Sequence, residues 1–268
     1  MISTSPDWGG SSTSRTCRTL IMAALPQEVR PFLRRVRARP RRDLGLPAWD
    51  WEPEAAVVAL SGMGPAAARR AAETLISLCR PELLVSMGFG GALVPGLATG
   101  NVVLGETFWH YNPDIRKLTA GARPPAPRPL IQLRQALKTA GLTTVSASLV
   151  TTTRIIHKKD QGEPLTALPH PVLDLETGVL AELAAAHNLP FLSLRAITDT
   201  AGEEIPEFLR HAGDPDATVG VREALKWLAQ DFRRVQDLLR LWRASRRAAQ
   251  ALSEALMILW PHLLFTEH

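Results

Sequence analysis

The residues of this chain best placed for chemistry are Asp174, Glu176 and Asp199. The first two stand in Leu173-Asp174-Leu175-Glu176-Thr177-Gly178, just before or at the start of a helical segment. Asp199 closes the apolar run that begins at Phe191. Carboxylates at such points lie at the edge of an α/β core, where open sheets form their clefts. Apolar surroundings there raise a carboxyl pKa and leave a proton available for transfer. Each residue also has a purely structural use. Asp199, in Thr198-Asp199-Thr200, suits capping of the turn after the strand. Glu176 suits the first turn of a helix, where the dipole favours negative charge, and Asp174 suits an N-cap.

The elements that position these groups alternate between strand and helix. Residues 18–25 read as a buried strand, and Pro26 opens a helix through about Val36, a favoured place for proline. Residues 40–54, rich in Pro, Trp and Asp, read as loop. A second strand over 55–60 ends in Ser61-Gly62-Met63-Gly64-Pro65, and an Ala-rich helix follows over 66–79. A third strand over 82–87 runs into a glycine-rich turn, Gly88-Phe89-Gly90-Gly91, and a fourth covers 101–104. Residues 106–129 form a Pro-rich irregular stretch of the kind that covers a site. A helix over 130–140, a strand over 145–150 and a loop over 157–172 lead to the carboxylate segment. Its helix covers 176–187 and its strand 190–198. This alternation predicts an α/β fold: a single three-layer α/β/α domain with a mixed, mostly parallel central sheet, plus a long C-terminal helix. The domain is expected over residues 17–215, after a disordered tail at 1–16 and before a helical extension at 216–268.

With 268 residues and 46% hydrophobic content, the chain can bury a sizeable core. Its two cysteines, Cys17 in what reads as the polar tail and Cys79 in a helix, argue against a disulfide framework. They suit a reducing cytoplasm. Arginine supplies most of the basic charge, since lysine occurs only at 117, 138, 158, 159 and 226. The net charge of +5 favours anionic partners only weakly. No stripe of aromatics interleaved with arginine suggests a nucleic-acid platform. The Ser/Thr/Gly-rich start does not read as a signal peptide, and no apolar run reaches the length of a membrane span. His110, His157, His170, His187 and His211 are scattered, so neither a metal nor another cofactor is expected.

From about Val219 to Leu256 the pattern is helical. Trp227, Leu228, Phe232, Val235, Leu238, Leu239 and Trp242 recur at helical spacing among arginines, and the segment from Ala255 to Phe265 is strongly apolar. Two readings stay open. One is a last helix packed on the domain or on a second subunit. The other is an interfacial anchor, with Trp242 and Trp260 at the membrane boundary.

Four segments, in order, resemble one family. They are Ser61-Gly62-Met63-Gly64-Pro65 with its Ala-rich helix, Met87 to Leu93 continuing to Val103, Asp174-Leu175-Glu176, and Arg195-Ala196-Ile197-Thr198-Asp199. Over about residues 18–210 they resemble the nucleoside phosphorylase/nucleosidase superfamily, and within it the methylthioadenosine/S-adenosylhomocysteine nucleosidases. Ala24-Leu25-Pro26-Gln27-Glu28-Val29 resembles the acidic N-terminal motif of those nucleosidases. The Gly62-Met63-Gly64-Pro65 turn and the Arg-rich C-terminal helix look more like a hopanoid-associated branch that is linked to removal of adenine from adenosylhopane.

The resemblance implies hydrolysis of the N-glycosidic bond of a purine nucleoside, with adenine as the base. It makes Asp199 the acid that faces purine N7. Glu176 becomes the residue that holds the ribose 2′- and 3′-hydroxyls on its two acceptor oxygens. Asp174 stands where the family has a second Glu, one methylene longer. Glu28 aligns with the Glu that activates water, against its plain reading as a first-turn helix residue beside Arg30. Gly88, Gly90, Leu175 and Ile155 complete the substrate-binding set, and Phe89 replaces the small or hydroxyl residue common at its place. Trp109, His110 and Tyr111 either line the 5′ side or pack the loop. Phosphorylases of the family carry an Arg where Ser86 stands here. Arg69 and Arg70 either replace it or face solvent. Water is therefore the expected acceptor. The alternatives are a phosphate-dependent phosphorylase and a non-catalytic nucleoside- or lipid-binding protein. A homo-oligomer is expected by the same resemblance. A lipid-linked nucleoside would give the apolar helix a place at the inner face of a membrane.

Overall fold

A computed structural model of the chain describes residues 17–159, 163–205 and 232–263. The tail at 1–16, the segment 206–231 and the last five residues lie outside that description, and with them Trp227, Leu228 and the expected boundary at residue 215.

β1 (Thr19–Ala23) shows how the sequence builds the layers. Leu20 and Met22 enter one core cluster while Ile21 and Ala23 enter another. That is the period of two of a strand buried on both faces. β4 (Ala56–Leu60) divides its side chains in the same way. On one face lie α2 (Pro65–Cys79) and α4 (Thr177–Ala186), which contribute Ala68, Ala72, Leu75, Leu180 and Ala184. On the other lie α1 (Pro26–Arg35), α3 (Leu130–Thr139) and α5 (Phe232–Leu263), with Phe32, Leu133, Leu137, Leu252 and Leu259. The result is three layers.

The remaining strands are β2 (Arg39–Arg41), β3 (Ala48–Trp51), β5 (Leu83–Ala92), β6 (Val102–Asn112), β7 (Lys117–Ala120), β8 (Thr144–Thr152), β9 (Val172–Asp174) and β10 (Phe191–Asp199). The long pairings β1–β4, β1–β5, β5–β10 and β6–β8 are parallel. The sheet also closes on itself, because β10 pairs with both β5 and β6 while β8 and β9 complete the ring back to β5. The closure brings the ends of β5, β8, β9 and β10 around one point.

Three stretches read as irregular are strands. Residues 39–51 form the β2–β3 hairpin at the sheet's outer edge, where proline at 40 is tolerated. Of the supposed loop at 106–129, residues 106–112 are the second half of β6 and 117–120 are β7, while the Pro-rich part at 121–129 is irregular as expected. Gly88 to Gly91 do not turn but continue β5. A Cβ on Gly90 would stand 2.5 Å from Val172 Cγ1, so glycine there lets β9 approach β5 and close the ring.

The apolar end of α5 is used inside the domain. Trp260 is buried, its ring 4.5 Å from that of Trp51, and its indole N–H donates to Glu54 at 2.8 Å. Phe32 meets Trp51 edge-on. Trp242 is exposed, with the Arg246 guanidinium 4.7 Å over its ring. Among the described residues no helix is long and apolar enough to cross a membrane. Cys17, expected in the polar tail, is instead buried at the start of β1 beside Cys79, and both are free thiols.

Candidate active site

Glu28 is the third residue of α1, and its carboxylate turns back to cap that helix. Oε2 accepts from the backbone N–H groups of Ala24 and Leu25, at 2.9 and 2.8 Å. Oε1 accepts from the N–H of Phe89 at 2.9 Å. One carboxylate thus ties the end of β1 to the middle of β5. It fits because residue 88 is glycine: a Cβ there would lie 2.9 Å from Glu28 Oε1. Burial raises the Glu28 pKa, and the three N–H groups and the charge of Arg195 only partly offset it.

Glu176 begins α4 from the opposite side of the cleft. Its Oε1 accepts from the N–H of Gly64 at 2.8 Å, so the Gly62-Met63-Gly64-Pro65 turn is the seat of this carboxylate. Its pKa is pushed up to about 8, by burial first and then by the neighbouring charges of Asp174 and Glu28. Three acidic groups from α1, β9 and the α4 start therefore share one pocket. Folding raises the Glu176 pKa, so its contribution to stability is greatest at low pH and is lost as pH rises from 4.5 towards about 8. Glu176→Gln is expected to flatten the fall of Tm over that range. Thermal unfolding at several pH values checks it, and an unchanged slope would contradict the shared pocket.

Asp174 is buried and filled by protein donors. Oδ1 accepts from Thr151 Oγ1 at 2.7 Å. Oδ2 accepts from the Thr177 N–H at 3.1 Å and the Thr177 hydroxyl, and from Arg195 Nε at 2.9 Å. The Arg195 guanidinium is itself buried, donating to Ser86 Oγ at 2.8 Å and to the Leu194 carbonyl at 2.9 Å. Ser86 thus points to Arg195. Arg69 pairs with Glu182 and Arg70 is exposed.

Asp199 ends β10, buried against Gly91, where a Cβ would stand 2.6 Å from its Oδ2. Oδ1 accepts from Thr198 Oγ1 at 2.7 Å. Oδ2 forms an ion pair with Lys158, which is also buried. Lysine at 158 carried no local motif, and neither it nor the anchoring role of Arg195 was foreseen; only the fold brings Lys158 to the end of β10.

Two cavities flank these groups. One of about 480 Å³ is bordered by Thr198, Asp199 and Glu203 on one side and Arg240, Arg243 and Arg247 of α5 on the other. One of about 240 Å³ is bordered by Pro65, His110, Tyr111, Thr151 and Thr152. It adjoins the Thr151–Asp174 contact and the turn that holds Glu176. His110 lies in β6, not in a loop, and its Nε2 stands 2.8 Å from Glu182. Trp109 donates to Thr107. Leu175 and Ile155 are half-buried, the first between the two acidic residues and the second three residues before Lys158. Phe89 is half-buried and packs against the α1/α5 side of the core.

The model of the phosphorylase superfamily matches residues 18–234. The chain belongs to that superfamily. The 5′-methylthioadenosine/S-adenosylhomocysteine nucleosidase of Haemophilus ducreyi is 24% identical over 174 residues, covering 59% of this chain and 75% of that protein. Two solved structures share the fold at 13% identity, each with a TM-score of 0.68 and covering 92% of this chain. They are the futalosine hydrolase of Helicobacter pylori, covered over 98% of its length, and the 5′-methylthioadenosine/S-adenosylhomocysteine nucleosidase of the same organism, covered over 99%. In this superfamily member Glu28, Asp174, Glu176 and Asp199 each lie at the carboxyl end of a strand or at the start of the helix that follows one, where α/β sheets bind ligands.

Proposed function

We propose that this protein hydrolyses the N-glycosidic bond of a purine nucleoside. The observation that carries the reading is that Glu28 and Glu176 share one buried pocket with Asp174, while Asp199 closes β10 beside Gly91 at the end of β5. Breaking a purine–ribose bond leaves negative charge on the base and cation-like charge on the sugar. Asp199, at the end of β10, serves the base at N7. Glu176, seated on the Gly64 N–H, holds the ribose hydroxyls, and Glu28 places negative charge beside the sugar cation. Glu28, whose raised pKa makes it a stronger base, takes a proton from the attacking water. Asp174, saturated by Thr151, Thr177 and Arg195, positions the cleft rather than meeting the sugar. Gly88, Gly90, Phe89, Leu175 and Ile155 form the walls for sugar and base.

Adenine is the expected base, as the names of the nucleosidase relatives suggest, and the cavity beside His110 and Tyr111 is the expected place of the 5′ substituent. Adenosylhopane is the more specialised substrate suggested by the resemblance, but the end of α5 lends it no support, since Trp260 is spent on Trp51 and Glu54. A homo-oligomer is proposed on the resemblance alone. One observation favours phosphorolysis as a second reading: Arg243 and Arg247 border the cavity beside Asp199 and are suited to an anion. Against it, Ser86 is bound to Arg195 and Arg69 to Glu182. A panel of purine nucleosides differing in base and 5′ group, with and without phosphate, tests the reading by release of free base. Release without phosphate supports hydrolysis, a strict need for phosphate supports the second reading, and no release from any member contradicts both.

A further inference from the structure

The ammonium of Lys158 has three N–H donors and three acceptors around it. They are Asp199 Oδ2, the Asp199 carbonyl at 3.2 Å and the Thr200 carbonyl at 2.9 Å. The lysine comes from the loop after β8, and its backbone N–H is held by Glu204 Oε2 at 3.2 Å. Glu204 also accepts from the N–H of Lys159, and Glu203 is occupied by Thr200 and Arg240. The nearby acids thus fix the loops, while the Lys158 side chain is spent on Asp199 and its carbonyl neighbours. Buried ion pairs contribute little to stability against an apolar alternative. A buried lysine on the carboxylate that serves the base therefore points to chemistry.

We propose that Lys158 acts through Asp199 as the store of the proton that the departing purine receives. The inference rests on the nucleosidase reading. As the C1′–N9 bond breaks, its electron pair goes to the purine. A proton passes from Lys158 Nζ to the Asp199 carboxylate, and the carboxylic acid so formed gives its proton to N7. The water oxygen bonds to C1′ and its proton goes to Glu28. The base leaves neutral, and Glu28 and Lys158 reset by proton exchange with solvent. Asp199 is the group in contact with the base; Lys158 is a positioning residue that feeds it.

The test compares a purine nucleoside with p-nitrophenyl riboside, whose phenolate leaves without a proton. Lys158→Ala is expected to lower kcat on the purine nucleoside by roughly 100-fold and to change turnover of the phenyl riboside by less than about 3-fold. Lys158→Arg keeps the charge but does not release a proton at neutral pH, so it is expected to stay as slow as the alanine variant on the purine nucleoside. Added methylammonium is expected to restore part of the lost rate in Lys158→Ala. Lys158→Gln, which retains a donor for the Asp199 and Thr200 carbonyls, serves if the alanine variant does not fold. Full activity of Lys158→Arg, or an equal loss on both substrates, would overturn the proposal while leaving the nucleosidase reading standing. Wild-type protein that releases base from neither substrate would remove both.

Discussion

Asp199→Asn is expected to lower base release by about three orders of magnitude, at the middle of the range for loss of a general acid. An amide has no proton to give to N7, and the substitution leaves the buried Lys158 ammonium without its carboxylate. The second effect matters for interpretation, since an unpaired buried charge costs about 3–5 kcal/mol. The two are separated by measuring affinity for the free base together with turnover. A folded variant that binds base but does not release it matches the account. A variant with more than a tenth of wild-type turnover would show that Asp199 only caps the end of β10.

Glu28→Gln is the second large effect. Its carboxylate accepts three backbone N–H bonds, from Ala24, Leu25 and Phe89. An amide turns a donor towards one of those N–H groups, which costs about 1–3 kcal/mol. Beyond that loss the variant has no base for the water, and turnover is expected to fall by about 10²- to 10⁴-fold. Nucleoside binding is expected to persist because Glu176 is untouched. In the wild type the raised Glu28 pKa makes kcat/KM increase with pH as the carboxylate ionises; in Glu28→Gln that rise disappears. Stopped assays across pH with equilibrium dialysis of the nucleoside check both. A variant that hydrolyses at the wild-type rate would leave Glu28 as a helix cap alone.

The residues carrying these predictions were readable from sequence to different degrees, and the differences are physical. Glu28 was visible through the resemblance of Ala24-Leu25-Pro26-Gln27-Glu28-Val29 to the acidic motif of the nucleosidases; its place after Pro26 marked only a first-turn helix residue. β1 was visible because every one of its residues is buried. The glycines of β5 misled: Gly88 makes room for Glu28 and Gly90 for Val172, and both needs are tertiary, while glycine in a sequence reads as a turn. The β6–β7 hairpin was hidden by the Pro-rich stretch just after it, and the β2–β3 hairpin by its own prolines and tryptophans. Ring closure left no local trace, because the β5–β10 and β5–β9 pairings join segments far apart in the chain. Lys158 was hidden for the same reason. Its partner is 41 residues away, and only the closed ring brings the β8 loop to the end of β10.

The central claim is that water, not phosphate, receives the sugar. The most direct measurement follows both products from methylthioadenosine in phosphate-free buffer. Adenine and a free reducing sugar are expected in equal amounts, at a rate that added phosphate does not change. Sugar 1-phosphate formed only when phosphate is present, or no cleavage of methylthioadenosine or any other purine nucleoside, would contradict it.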